Sequence, residues 1–123
     1  MPGSKGTILV IDDDIAIREA LRDTLEDQGY RVAEAGNGVD ALTYLRTHPA
    51  PALIFLDWNM APMDAPEFMK ELNKEPSFAG VPVVLVTADA RAEDKAKTDR
   101  YDGYLTKPVD LDTLFSVAAR FAS

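Results

Sequence analysis

Apolar residues follow two rhythms along this chain. Short continuous runs at 7–11, 53–56 and 81–86 read as strands buried on both faces. Between them, apolar positions recur every three or four residues, as on helices with one inward face. The first strand, Thr7 to Ile11, leads into Asp12, Asp13 and Asp14. Ile17, Leu21 and Leu25 then mark a helix, with Arg18, Arg22 and Glu26 expected to face water. Asp14 suits its N-cap and Gly29 its C′ position. Residues 31–35 read as a short strand closed by Gly36, Asn37 and Gly38. A second helix follows, with Val39, Leu42 and Leu45 on one face, and stops before Pro49.

The central stretch is residues 53–60. Leu53, Ile54, Phe55 and Leu56 lead straight into one acid, Asp57. A charge at the end of a buried strand is costly unless it finds a partner. Asp64 and Glu67 have the spacing of a capping box and open a helix carrying Phe68 and Leu72. The run at 81–86 is the next strand, with Thr87 after it. Residues 90–98 predict a helix with a thin apolar stripe, and Tyr104 and Leu105 a short strand ahead of Lys107 and Pro108. Asp110 caps a last helix whose inward residues are read as Leu111, Leu114, Ala118 and Phe121.

Five repeats of strand then helix predict an α/β fold, a parallel sheet covered by helices on both faces. Ligands of open sheets of this kind bind beyond the carboxyl ends of the strands. Those ends carry Asp12 and Asp13, Asp57, Thr87 and Lys107. Three carboxylates in one pocket repel, and a divalent cation removes the conflict. Carboxylates with a backbone carbonyl and water suit Mg²⁺; zinc would want His or Cys. An Asp beside Mg²⁺ can attack phosphorus to give an acyl phosphate. Lys107 and Thr87 would then supply donors to the new phosphoryl oxygens.

Composition narrows the picture. The 123 residues suffice for one domain with its own core, and 46% apolar content excludes a disordered chain. The net charge of −8 argues against direct nucleic-acid binding. No run reaches membrane-spanning length, and no cysteine is present, so a cytoplasmic protein without membrane contact is expected. Residues 1–6 are polar and are expected to be a flexible segment outside a domain spanning 7–123.

Taken in order, ILVIDDD at 8–14, LDWNM at 56–60, MD at 63–64, VTA at 86–88 and YLTKP at 104–108 resemble the receiver domains of two-component response regulators. The resemblance covers nearly the whole chain. It implies a flavodoxin-like, doubly wound five-stranded sheet in the order 2-1-3-4-5. It further implies Asp57 as phosphoacceptor, and Mg²⁺ held by Asp13 directly, Asp12 through water, Asp57 and the Asn59 carbonyl. Thr87 and Lys107 would bind the phosphoryl group, Thr87 and Tyr104 would act as the switch, and the Lys107–Pro108 bond would be cis. The phosphodonor would be a histidine kinase or histidine phosphotransfer protein and the output an unidentified target protein, so the chain is read as a phosphoacceptor and not an enzyme. Trp58 and Asn59 resemble the chemotaxis-type regulators. Asn59, Ala88 and Asp89 would tune dephosphorylation through their control of water.

Two departures fall in one loop. Ala61 precedes Pro62 where the family has Pro first, and Ala65 stands where it has Gly. The segment between Thr87 and Lys107 is also slightly short, so the fourth helix is expected to be short or irregular. Met60, Met63 and Met69 read as gap-fillers, His48 as a loop residue, and Trp58 as lying at the pocket mouth. Rival readings fit less well. A haloacid-dehalogenase-type phosphatase wants Asp-x-Asp-x-Thr after its first strand, and here that place reads Asp12, Asp13, Asp14, Ile15, Ala16, without the Thr. A flavodoxin wants hydroxyls there, and a pseudo-receiver would lack an acid, the Thr or the Lys. A receiver cut from a longer response regulator or hybrid kinase is the remaining alternative.

Overall fold

The structure, a computed structural model, describes residues 6–88, 91, 94 and 101–122. Five strands form one parallel sheet: β1 (Thr7–Ile11), β2 (Arg31–Ala35), β3 (Leu53–Asp57), β4 (Val83–Thr87) and β5 (Gly103–Thr106). Their order is β2-β1-β3-β4-β5, as the resemblance implied. Among the described residues, the helices are α1 (Ile15–Asp27), α2 (Gly38–Thr47), α3 (Ala65–Asn73) and α4 (Leu111–Ala122), with a 3₁₀ turn at Pro76–Phe78. None is long and apolar enough to cross a membrane. The helix expected over 90–98 lies almost wholly outside the described residues.

The period of two along each strand divides the core between two faces. Leu9, Ile11, Ile54, Leu56, Val83 and Leu85 pack against α2 and α3 through Leu42, Leu45, Phe68 and Leu72. Ile8, Val10, Leu53, Phe55, Val84 and Val86 pack against α1 and α4 through Leu21, Leu25, Leu114 and Ala118. Every residue of β3 and β4 is buried, which is why both read as apolar runs up to their closing Asp57 and Thr87.

Helix starts follow the expected capping chemistry. Asp14 accepts from the Ile17 amide at 3.1 Å, Asn37 from Asp40 at 2.9 Å, Asp64 from Glu67 at 3.0 Å and Asp110 from Thr113 at 3.0 Å. Gly29, just past α1, takes a φ of 94°, a left-handed value that favours glycine. Gly6 donates its amide to Ala122 at 2.7 Å and leaves no room for a Cβ beside Ala52.

Three inward or outward assignments change. Val39 is 44% exposed, because the buried face of α2 runs through Gly38, Ala41, Leu42 and Leu45. Leu111 is 53% exposed, and α4 buries Leu114, Ala118 and Ala122, with Phe121 only partly covered. Arg18 does not face water: its side chain is 17% exposed and is folded back over β1 and β2. In each case the helix keeps its period, but its rotation is set by the neighbour it meets.

Candidate functional site

Among the described residues, the buried polar or charged ones are Asp12, Asp57 and Thr87. All three stand at the carboxyl ends of strands: Asp12 just past β1, Asp57 ending β3 and Thr87 ending β4. Parallel pairing puts these ends on one edge of the sheet, with Ile11 opposite Leu56 and Asp57 opposite Val86. One carboxylate oxygen from each of Asp12, Asp13 and Asp57 lies within 4.8 Å of the other two. Asp13 is exposed, so the cluster has one open side.

Lys107 enters from the loop after β5. Its Nζ donates to Asp12 Oδ2 at 3.0 Å and Asp57 Oδ1 at 3.1 Å. Its amide donates to the Thr87 carbonyl at 2.8 Å, which ties the lysine backbone to β4. The Lys107–Pro108 bond is cis, as expected, and so is Ala61–Pro62. Asp12 is held at several points. Its amide donates to Ala35 O at 3.1 Å, Oδ1 accepts from the Asp14 amide at 2.9 Å, and its carbonyl accepts from Arg18 Nη1 at 2.8 Å.

Burial and the nearby charge of Asp12 raise the Asp57 carboxyl from 3.8 to about 6, against the opposing pull of Lys107. For Lys107, burial works to lower the pKa, but the hydrogen bonds to Asp12 and Asp57 outweigh it and raise it. The acids therefore carry more negative charge than one lysine balances. Hard oxygen donors in that condition, with no sulfur or imidazole among them, fit Mg²⁺ better than zinc.

A shallow groove beside the acids is lined by Asp13, Trp58, Asn59, Met60, Ala61 and Asp64, so Trp58 does lie at the pocket mouth. Met60 and Met69 are buried, and Met63 packs over Gly38, where a Cβ would come within 2.9 Å of it. This contact holds the 61–66 loop against the start of α2. Ala88 and Lys107 border a second, apolar cleft of about 560 Å³ between α1 and the start of α4. Tyr104 is 42% exposed on β5. His48 is a loop residue stacked on Tyr44 at 4.1 Å. Asp89 lies outside the described residues. Arg18 and Glu34 were missed as neighbours of the site: nothing in an amphipathic helix shows which of its arginines folds back onto the sheet.

The sequence matches the response regulator receiver domain family over residues 8–119. It is 33% identical over 114 residues to the response regulator Rre1 of Synechocystis sp., across 90% of this chain; the chain spans about half, 49%, of that relative's length. The chemotaxis response regulator CheY4 of Vibrio cholerae superposes with a TM-score of 0.87 at 30% identity, covering 96% of this chain and 99% of that one. The receiver domain of the sensor histidine kinase PA1611 of Pseudomonas aeruginosa PAO1, described with magnesium coordinated in its active-site cleft, has the same fold. Its TM-score is 0.86 at 22% identity, covering 96% of this chain and 98% of that one. With its acid cluster, buried Thr87 and bridging Lys107 at one sheet edge, the chain belongs to the response regulator receiver domain family of two-component systems.

Proposed function

We propose that residues 7–123 form a phosphoacceptor module in which Asp57 takes a phosphoryl group from a phosphohistidine of a kinase or phosphotransfer protein. The observation that carries this reading is the position of Lys107, within hydrogen-bond distance of both Asp12 and Asp57 in a pocket holding three carboxylates. An ammonium so placed can pass from a carboxylate oxygen to a phosphoryl oxygen without leaving the pocket.

A carboxylate oxygen of Asp57 attacks phosphorus in line. The phosphorus bond to the donor nitrogen breaks, and its electron pair stays on the donor imidazole. Asp12, Asp13 and Asp57, with the Asn59 carbonyl, would hold Mg²⁺, which when bound neutralises the acids and stabilises charge on the phosphoryl oxygens. Lys107 and the Thr87 hydroxyl bind the remaining oxygens. The added charge shifts Thr87 and then Tyr104, which changes the surface offered to a target protein. The apolar cleft beside Lys107, lined in part by Ile17, Val109 and exposed Leu111, supports docking of an apolar phosphodonor surface there. Water later hydrolyses the acyl phosphate, and Asn59, Ala88 and Asp89 control its access.

Acetyl phosphate with Mg²⁺ tests the reading. One phosphoryl group should appear on Asp57 by mass spectrometry, and Asp57→Ala should accept none. Modification of Asp12 in its place would overturn the assignment and favour a phosphatase-like mechanism.

A further inference from the structure

Besides Lys107, Arg18 also bonds the acid pocket, and it does so through the backbone. Its Nη1 donates to the Asp12 carbonyl at 2.8 Å, while its Nε donates to Glu34 Oε1 at 3.1 Å. The second Glu34 oxygen accepts from Arg22 Nη1 at 2.8 Å. A carboxylate on β2 thus orients the Arg18 fork, and the fork grips the peptide that joins Asp12 to Asp13. Gly36 lies beside the guanidinium: a Cβ there would sit 3.4 Å from Arg18 Nη1. Fixing that peptide plane fixes where the Asp13 side chain leaves the chain. The Asp12 side chain has its own donors in Asp14 and Lys107; Asp13 is exposed and depends on its backbone for position.

We propose that Arg18, oriented by Glu34, is a positioning residue that sets the separation of the Asp12 and Asp13 ligands and so tunes cation affinity. This rests on the magnesium reading above. The sign of the effect separates positioning from charge. By Coulomb's law alone, losing a cation beside three acids would tighten Mg²⁺ binding. Loss of a positioning group weakens it, since groups that orient metal ligands are worth about 10- to 100-fold in affinity.

The test is Mg²⁺ titration of the full chain, followed by Trp58 fluorescence, for wild type, Arg18→Ala, Arg18→Lys and Arg22→Ala. Arg18→Ala should weaken binding about tenfold. Arg18→Lys should fall between, since an ammonium keeps the charge near the Asp12 carbonyl but lacks the planar fork that Glu34 orients. Arg22→Ala removes the same charge and the same acid partner yet does not touch Asp12, so its affinity should stay near wild type. Amide hydrogen exchange in the metal-free chain gives a second readout: Arg18→Ala should speed exchange at Asp14, whose amide is held by Asp12. Unchanged or tighter Mg²⁺ binding in Arg18→Ala overturns the proposal, as does equal weakening in Arg22→Ala. If wild type itself shows no response to Mg²⁺, the magnesium reading fails, and retained Asp14 protection in Arg18→Ala then overturns the positioning role by itself.

Discussion

The Lys107 ammonium stands 3.1 Å from Asp57 Oδ1, although the two residues are 50 positions apart in the chain. It bonds Asp12 at the same time, so one cation serves two buried carboxylates. Removing it leaves those charges without their donor. Lys107→Ala should destabilise the metal-free protein by about 2 kcal/mol, below the ~3–5 kcal/mol of a broken buried pair, because Asp57 can take up a proton. The emptier, more negative pocket should then gain more from Mg²⁺. Thermal melts with chelator and with Mg²⁺ should show a larger metal-induced rise in the variant than in wild type.

Asp57 makes stability fall as pH rises. Its native pKa of about 6 lies above the ordinary 3.8, so between these values the folded chain binds more protons than the unfolded one. The contribution of this group to stability therefore declines from pH 3.8 to about 6 and is level above that. Asp57→Asn should remove this slope and stabilise the metal-free protein at neutral pH by roughly 1–3 kcal/mol. Chemical denaturation across that pH range in chelator checks both. A variant less stable than wild type at neutral pH would show that Lys107 outweighs burial and Asp12.

Under the proposed reading, Mg²⁺ would bind the folded pocket and not the unfolded chain, so it should raise the melting temperature. The gain should reach about 2.7 kcal/mol at one hundred times the dissociation constant. Below pH 6 the metal competes with the Asp57 proton, and affinity should drop by about tenfold per pH unit. Asp13→Asn should weaken both the thermal shift and the Trp58 fluorescence response, with little change to the metal-free melt, because Asp13 is exposed and bonds neither Lys107 nor Arg18.

The lifetime of the acyl phosphate should depend on what lines the water path. Asn59 shares the groove with Asp13, and Ala88 is exposed at the end of β4. Under the proposed reading both would leave a phosphoryl group on Asp57 uncovered, so self-dephosphorylation is expected to be fast. Single-turnover decay of the phosphorylated protein should slow by several-fold, up to about tenfold, in Asn59→Met and in Asp89→Tyr, by loss of an oriented water or by cover. Unchanged decay in both would show that these side chains do not govern water access.

Much of this molecule could be read along the chain. The strands were legible because β3 and β4 are buried on both faces and therefore apolar up to their last residues, Asp57 and Thr87. The caps were legible because Asp14, Asp64 and Asp110 bond amides three residues ahead, a local geometry. The acids at strand ends were legible because a parallel sheet puts all such ends on one edge.

Tertiary structure decided the rest, and always where a partner came from far along the chain. Helical period said that Arg18 and Arg22 share a face with Glu26, but not that Glu34 of β2 would draw Arg18 inward onto the Asp12 carbonyl. Leu111 and Val39 kept the period of their helices and still point outward, because packing against the sheet sets helix rotation. The raised pKa of Asp57 likewise depends on burial and on Asp12, which reaches it only when β1 and β3 pair. Local rules concern neighbours within about one helical turn; the charge balance of this pocket is made by residues 45 to 95 positions apart, and only the folded sheet brings them within a hydrogen bond.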